Sequence, residues 1–573
     1  MEKPWLGYYE ESVPAAIAYP DLPLYQILAD TARKYPDNTA TIFGNVVEPL
    51  GNVLLDAKMT YRELYDLTKR FAAALQQLGV EKGDRVALYM PNCPQFIIAY
   101  YAVLMCGGII VPCNPQYVAR ELQHQLNDSG AETIVCLSLM YPIVKKIRAE
   151  TPLKRVIVTN IKEYFPGLLK FLFTLAVEKK EGHYQDISGD ADTYWLQDLV
   201  GSAPTEPTRV EVSPKDTAVL MYTGGTTGIS KGAELTHRNL LANAIQTRYW
   251  FSKSEEGREV VLTALPLFHS YGMTTCMNHG VLIGGAMLLI PNPRVLIHTL
   301  KSINKHRPTV FTGVPAMYVA INNYPEISKF DVSSIKACIS GAAGLPVEVQ
   351  QKFQAITGGK LVEGYGLSEA SPVTHANPVF GQSKIGTIGL PFPDTEAKVV
   401  DVETGEKDLP PGEVGELVIK GPQVMRGYWN KPEETANTLR RGWLHTGDIA
   451  TMDEEGYFKI VDRKKDMILG AGGYNIYPRE VEDVLYQHPK VLEAAAAGIP
   501  LGVEKGERVK AYIVLKPGET ATEEEIIAFC RENMARYKVP KFIEFRESLP
   551  KTMVGKILRR VLVEEEKKKL QPQ

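Results

Sequence analysis

The sequence predicts a layered α/β protein with a large N-terminal domain and a smaller α+β C-terminal domain. Three observations carry this. Strand-length apolar runs alternate with helix-length segments through the first three-quarters of the chain. Near residue 385 the texture changes to short strands and glycine turns. The 573 residues exceed what one hydrophobic core accommodates.

In chain order, Arg85–Met90 reads as a strand, and Pro94–Met105 as a helix after a turn at Pro91–Asn92. Thr133–Leu137, Arg155–Thr159, Thr217–Tyr222 and Met287–Ile290 read as further buried strands. Thr236 is a good N-cap for a helix starting near His237. Ala397–Val402, Gly415–Lys420 and Tyr457–Val461 are the short strands of a β-rich unit. After the charged stretch Asp462–Asp466 come a helix at Pro478–Gln487, strands at Glu493–Ala497 and Val509–Leu515, and a helix at Glu523–Met534. The domains are therefore expected at 1–464 and 465–573. The charged run Glu564–Lys569 reads as a solvated or frayed helical tail.

Composition narrows the classes. With 45% hydrophobic and 23% charged residues the chain is ordinary globular protein. A net charge of −3 argues against a nucleic-acid partner, because phosphate backbones demand a basic excess. The seven cysteines form no CxxC pair, so neither a zinc site nor a disulfide framework is indicated; this suits a reducing cytoplasm. Met1 to Pro20 carries acids and prolines without a long apolar stretch, and does not read as a signal peptide. Phe96 to Val111 is uncharged for sixteen residues, but Gly107 and Gly108 interrupt it. A spanning helix needs about 20, so a buried helix, a turn and a strand are expected.

Tyr222 to Gly232 is the most informative stretch. Four glycines in eleven residues let the backbone turn its N–H groups onto a ligand. Three threonines, Ser230 and Lys231 add hydroxyl donors and a cation. The set suits a polyphosphate, although Lys231 lies between Ser230 and Gly232, unlike a Walker A lysine. On its own a flexible surface loop fits as well.

Six further motifs follow in order: Leu265–Gly272 (LPLFHSYG), Gly364–Glu369 (GYGLSE), Gly415–Gly421 (GELVIKG), Trp443–Asp448 (WLHTGD), Asp462–Asp466 (DRKKD) and Gly472–Pro478 (GGYNIYP). Pro550–Lys556 (PKTMVGK) closes the series. Their order and spacing resemble the adenylate-forming superfamily of acyl-CoA synthetases, luciferases and peptide-synthetase adenylation domains, over about residues 25–562. The nearest likeness is to bacterial long-chain fatty acid–CoA ligases. The resemblance implies α/β subdomains and a small β-barrel in the large domain, a mobile C-terminal domain, and ATP, Mg²⁺ and coenzyme A as cofactors and co-substrate. It implies two steps, in which a carboxylate attacks the α-phosphate of ATP to give acyl-AMP, and coenzyme A then displaces AMP.

On this resemblance Thr223, Gly224, Gly225, Thr226, Thr227, Gly228 and Lys231 hold the phosphates, and Glu369 with Thr223 holds Mg²⁺. Gly364, Tyr365, Gly366 and Ser368 form the adenine platform and its flank, Asp448 accepts the ribose hydroxyls, and Arg463 contacts ribose or phosphate. His269 lies near the carboxylate and α-phosphate; a packed core histidine is its equal rival. Lys556 bridges the attacking carboxylate and the α-phosphate, where negative charge accumulates. Lys465 is the hinge, and Gly472, Gly473 and Tyr474 line the pantetheine tunnel. Leu469 stands where some relatives carry a nucleotide-facing lysine, so no contact is assigned there.

The resemblance also places the acyl group beneath Tyr271–Met277, Gly313–Tyr318 and Gly341–Gly344, which here are small or apolar and suit an aliphatic chain. Tyr164–Lys180 mixes large apolar residues with Lys170, Lys179 and Lys180. It fits an interfacial helix at the inner face of a membrane as well as a helix packed on the domain or at a homodimer interface. The function expected is a cytoplasmic, ATP- and Mg²⁺-dependent ligase of medium- to long-chain fatty acids. The alternatives are an acyl-AMP ligase serving a carrier protein and a non-catalytic nucleotide- or lipid-binding relative.

Overall fold

The computed structural model describes residues 3–47, 53–223, 230–464, 466–469, 475–500, 507–552 and 557–570. Two large sheets organise the N-terminal part. The first runs, edge to edge, Leu390–Pro391, Val373–Ala376, Lys360–Gly366, Ala337–Ser340, Val310–Gly313, Val260–Thr263, Ala286–Leu289, Thr39–Val47 and Val53–Thr60. The second runs Gly427–Tyr428, Lys231–Thr236, Thr217–Thr223, Ile109–Cys113, Arg85–Tyr89, Thr133–Leu137, Arg155–Thr159 and Thr193–Trp195. Both are parallel in the middle and antiparallel at the Lys360–Gly366 and Thr217–Thr223 ends.

The two sheets share a central core. It draws Val86, Leu88 and Ile110 from one sheet and Val261, Met287 and Val310 from the other. The opposite faces are covered separately, by Leu122, Leu126 and Val144 on one sheet and by Leu300, Ile321 and Phe353 on the other. The uncharged run forms a helix at Pro94–Met105, started by Pro94 and buried at every position but the last. Among the described residues no helix is long and apolar enough to cross a membrane.

His237–Trp250 begins in a capping box. Thr236 Oγ1 accepts from the Asn239 amide at 3.1 Å while Asn239 Oδ1 accepts from the Thr236 amide at 2.9 Å. Asn239 then donates to the carbonyls of Pro422 and Val424, both at 2.8 Å, which ties this helix to the approach of Gly427–Tyr428.

The β-rich unit is an antiparallel five-stranded sheet built from Glu396–Val400, Gly415–Lys420, Leu439–Arg440, Trp443–Met452 and Phe458–Arg463. The C-terminal part carries a separate core. Val481 and Leu485 of the helix Pro478–Tyr486 pack with Ala494, Ala511, Ile526 and Ile543 over the sheet Val491–Pro500, Glu507–Leu515 and Phe542–Phe545. The charged tail is helical over Arg559–Leu570.

Candidate functional site

Thr217–Thr223 and Lys231–Thr236 form an antiparallel hairpin whose register sets Thr223 opposite Lys231. A Cβ on Gly232 would stand 3.1 Å from the Tyr222 ring, so the glycine permits this closeness. The hairpin thus presents a hydroxyl and an ammonium side by side at the mouth of the loop. Gly224, Gly225, Thr226, Thr227 and Gly228 lie outside the described residues.

The turn Ser368–Ala370 packs against both strands of this hairpin. Glu369 Oε1 accepts from the Tyr428 hydroxyl at 2.8 Å, and the Glu369 carbonyl accepts from the Met425 amide at 2.7 Å. Lys231 Nζ lies 5.5 Å from the Tyr428 ring centroid and 3.6 Å from Glu434. Burial, with Glu369 beside it, pushes the Tyr428 phenol far above its ordinary range, so it remains the donor. Tyr428 and Glu434 were not legible as site residues: Tyr428 meets Glu369 across fifty-nine positions, and the Arg-Gly-Tyr-Trp run around it carries no distinctive spacing.

Tyr365 is the penultimate residue of the strand Lys360–Gly366. Its hydroxyl donates to Asp448 Oδ2, while Arg463 Nε lies 2.5 Å from Asp448 Oδ1. Burial, with Asp448 adding to it, holds the Tyr365 phenol far above its usual range; the same carboxylate raises Arg463. Asp448 and Arg463 are cross-strand partners in the five-stranded sheet. Each carboxylate oxygen keeps acceptor capacity for another donor. The flanking glycines have a packing reason of their own. A Cβ on Gly364 would sit 2.7 Å from Ile339, and one on Gly366 would sit 2.1 Å from the Pro372 carbonyl.

His269 N-caps the short turn Ser270–Gly272, its Nδ1 accepting from the Tyr271 amide at 3.3 Å. Ser270 Oγ lies 3.2 Å from Ser368 Oγ, which brings this turn beside Glu369. A π-helical stretch, Met273–Asn278, follows; such wide turns recur at functional sites. The three segments expected under the acyl group meet: Tyr271 and Tyr318 both donate to the Ile339 carbonyl, at 2.9 and 3.2 Å, and Gly341 lies against the Tyr271 ring.

On the C-terminal side, Arg479 donates to the buried Glu363 at 3.1 Å, and Gly344 lies directly against its guanidinium. Asp462 accepts from the amides of Arg463 and Arg479 at 2.6 and 2.7 Å, and Arg559 lies 3.6 Å away. Lys465, Gly472, Gly473, Tyr474 and Lys556 lie outside the described residues.

A metal ion fits beside Glu369. Oε2 has no hydrogen-bond partner among the described residues, and the Thr223 strand is adjacent. No group of three or more His, Cys, Asp or Glu that could hold a metal occurs among the described residues. One carboxylate supplemented by phosphate oxygens and water is a magnesium-type donor set.

Two α/β halves joined over one core, with a hydroxyl–ammonium mouth, a carboxylate at Glu369 and a Tyr–Asp–Arg node close together, define an adenylate-forming enzyme. The chain belongs to the AMP-binding enzyme family. The AMP-binding enzyme profile matches residues 28–429, and the AMP-binding enzyme C-terminal domain profile matches residues 480–556. The chain is 48% identical over 567 residues to a long-chain-fatty-acid–CoA ligase of Bacillus subtilis (strain 168), covering 99% of this chain and 98% of that one. It is 43% identical over 585 residues to the ligase of the same name from Escherichia coli O6:H1, covering 100% and 99%. Among solved structures, the anthranilate CoA ligase AuaEII in complex with anthranoyl-AMP superposes with a TM-score of 0.82 at 26% identity, covering 97% of this chain and 99% of that one.

Proposed function

We propose that this chain is an ATP- and Mg²⁺-dependent medium- to long-chain fatty acid–CoA ligase. The observation that carries the reading is convergence. Thr223, Lys231, Ser368 and Glu369 come together where the turn Ser368–Ala370 packs on the hairpin of Thr217–Thr223 and Lys231–Thr236, and Tyr365, Asp448 and Arg463 meet beside it, in a chain whose full-length relatives are named for this reaction.

In the first half-reaction a fatty acid carboxylate oxygen bonds to the α-phosphorus as the bond to the β-phosphate oxygen breaks, releasing pyrophosphate. In the second, the coenzyme A sulfur bonds to the acyl carbon and AMP leaves with the acyl–oxygen electron pair. No protein nucleophile is needed, so this chain's residues act by positioning and electrostatics. Lys231 and the loop from Thr223 to Gly228 hold the β- and γ-phosphates. Glu369, with Thr223, holds Mg²⁺, which when bound neutralises phosphate charge. Tyr365 carries the adenine, Asp448 accepts the ribose hydroxyls, and Arg463, held against Asp448, contacts ribose or phosphate. His269 faces the carboxylate, and Lys556 steadies the charge built up between carboxylate and α-phosphate. The domains divide at 464/465, the smaller swings about Lys465, and Gly472–Tyr474 then line the route of coenzyme A. Lys556→Ala should lose adenylation by roughly 10²–10³-fold yet still convert supplied acyl-AMP and coenzyme A to thioester. Equal loss of both half-reactions would overturn the swing. Acyl-CoA formation across acids of two to eighteen carbons tests the substrate class, and transfer to a carrier protein without use of free coenzyme A would overturn the ligase reading.

The helix Gly167–Ala176 supports a membrane contact. Leu169 and Phe173 are buried on one face, while Leu168, Phe171 and Leu175 are 74%, 60% and 70% exposed on the other. Lys179 and Lys180 are exposed at its end, and Lys179 lies 5.1 Å from the exposed Tyr184 ring. An apolar stripe beside cations matches an anionic bilayer, where long-chain acids partition. Replacing Leu168, Phe171 and Leu175 with serine should abolish sedimentation with anionic vesicles and spare turnover of a soluble short acid; retained sedimentation, or a shift in oligomeric state instead, would favour a packing or dimer role.

A further inference from the structure

Tyr428 stands where three groups of the site meet, and its placement is fixed from both sides. Gly427 and Tyr428 pair with Glu234 and Ala233 at the edge of the second sheet. The Arg426 amide donates to the Glu234 carbonyl at 3.0 Å, and the Trp429 amide to the Gly232 carbonyl at 2.8 Å. From the other side, Thr435 Oγ1 accepts from the Tyr428 amide at 2.8 Å. A Cβ on Gly427 would stand 2.6 Å from Thr435, so only glycine lets the helix Pro432–Thr438 close this tightly. The backbone of Tyr428 is thereby locked to the strand that carries Lys231.

The side chain turns that lock into a link. The hydroxyl donates to Glu369 Oε1 at 2.8 Å, which leaves Oε2 without a hydrogen-bond partner among the described residues. A carboxylate held by one oxygen has its other oxygen aimed. The ring lies beneath Lys231 Nζ at 5.5 Å, within cation–π range. Glu434 reaches the same ammonium at 3.6 Å, with 38% of its side chain exposed. Lys231 itself is only 17% exposed, but at 3.6 Å the contact is long for an ion pair and its carboxylate end is open to water, so a triphosphate of higher charge can displace it.

We propose that Tyr428 is a positioning residue for the metal-bound triphosphate: its hydroxyl aims Glu369 at the metal, its ring sets the height of Lys231, and Glu434 parks Lys231 until the polyphosphate arrives. One aromatic side chain then fixes the spacing between the carboxylate that meets the cation and the ammonium that meets the phosphates. The inference rests on the reading of Glu369 and Lys231 given above.

The test uses the full chain and its Tyr428→Phe variant, which keeps the ring and removes only the hydroxyl. Mn²⁺ binding in the presence of α,β-methylene-ATP, followed by electron paramagnetic resonance, reports the metal directly. Losing a hydrogen bond to a charged group should raise the half-saturating Mn²⁺ concentration about tenfold. Pyrophosphate exchange should fall by a similar factor at limiting Mg²⁺ and return to within about twofold at saturation. Conversion of supplied acyl-AMP and coenzyme A should be unchanged, which also shows that the variant is folded. An unchanged Mn²⁺ affinity, or an equal fall in both half-reactions, would overturn the proposal.

Glu369→Gln is the companion measurement. If it weakens Mn²⁺ binding and Tyr428→Phe does not, the inference fails and the metal reading stands. If Glu369→Gln leaves Mn²⁺ binding unchanged, the metal reading itself fails. Glu434→Gln frees Lys231, so α,β-methylene-ATP without metal should bind about threefold more tightly; weaker binding would overturn the parking role.

Discussion

Two buried carboxylates in this chain each meet an arginine, and they are built in opposite ways. Asp448 pairs with Arg463 across neighbouring strands of one sheet. Glu363 pairs with Arg479, one hundred and sixteen positions away, at the start of the helix that opens the C-terminal part. Asp448 takes a second donor from Tyr365. Glu363, by contrast, is pushed above the ordinary carboxylate range by burial, with Arg479 pulling it back. A cross-strand pair persists as long as its sheet does. A pair that joins two cores persists only while those cores touch. The first therefore suits a fixed binding surface, and under the proposed domain swing the second suits a contact that is made and broken.

The largest effect is expected at the fixed pair. Asp448→Ala strips the acceptor from both Arg463 and Tyr365. Breaking a fully buried ion pair costs roughly 3–5 kcal/mol. Arg463 keeps 31% of its side chain exposed, so about 2 kcal/mol is the better expectation, since water screens what remains. On the proposed reading of Asp448, two hydrogen bonds to the ribose would go with the carboxylate, lowering kcat/KM for ATP by roughly a hundredfold or more. Thermal unfolding and ATP–pyrophosphate exchange read the two losses. Exchange within a few-fold of wild type would remove Asp448 from the nucleotide site.

A smaller and directional effect is expected at the second pair. Glu363→Gln keeps the shape and one acceptor but removes the charge facing Arg479. Under the proposed domain swing, Arg479 against Glu363 at 3.1 Å marks the arrangement that serves the thioester half-reaction. Losing about 1 kcal/mol from this contact shifts the population roughly fivefold. Thioester formation from supplied acyl-AMP should fall by about that factor, while pyrophosphate exchange should not fall. Equal decreases in both would reduce the pair to an ordinary stabilising contact.

The same contrast explains what was legible in the sequence. Hydrophobic runs and caps placed the Pro94–Met105 helix, the parallel strands and the Thr236 cap, because each is decided by neighbouring residues. Asp448 and Arg463 were found as members of two motifs, but their pairing was not, since strand register is a tertiary outcome. Tyr428–Glu369 and Glu363–Arg479 left no mark, because each joins residues far apart in the chain through a fold that had to exist first. Gly364 and Gly366 were read as part of the adenine platform and its flank; the contacts at Ile339 and Pro372 that also demand glycine arise only from the fold.

The smallest effect is expected at Asp462, which touches both arginines at once. Its carboxylate accepts from the amides of Arg463 and Arg479, with Arg559 3.6 Å away and Glu482 contributing like charge. Burial pushes it up to about 6, against the pull of Arg559 and the two amides. A carboxyl whose folded value lies above its unfolded value of about 3.8 binds more protons when folded. Its contribution to stability is therefore greatest at low pH and is lost as pH rises from about 4 through about 6. Asp462→Asn keeps an acceptor and removes the titration. Wild type should gain on the order of 1 kcal/mol at pH 5 relative to pH 7 from this site, and the variant should lack that gain, read as the difference in Tm between the two pH values. An identical difference in both proteins would show that Asp462 stays ionised throughout, with the amides of Arg463 and Arg479 and the charge of Arg559 outweighing its burial.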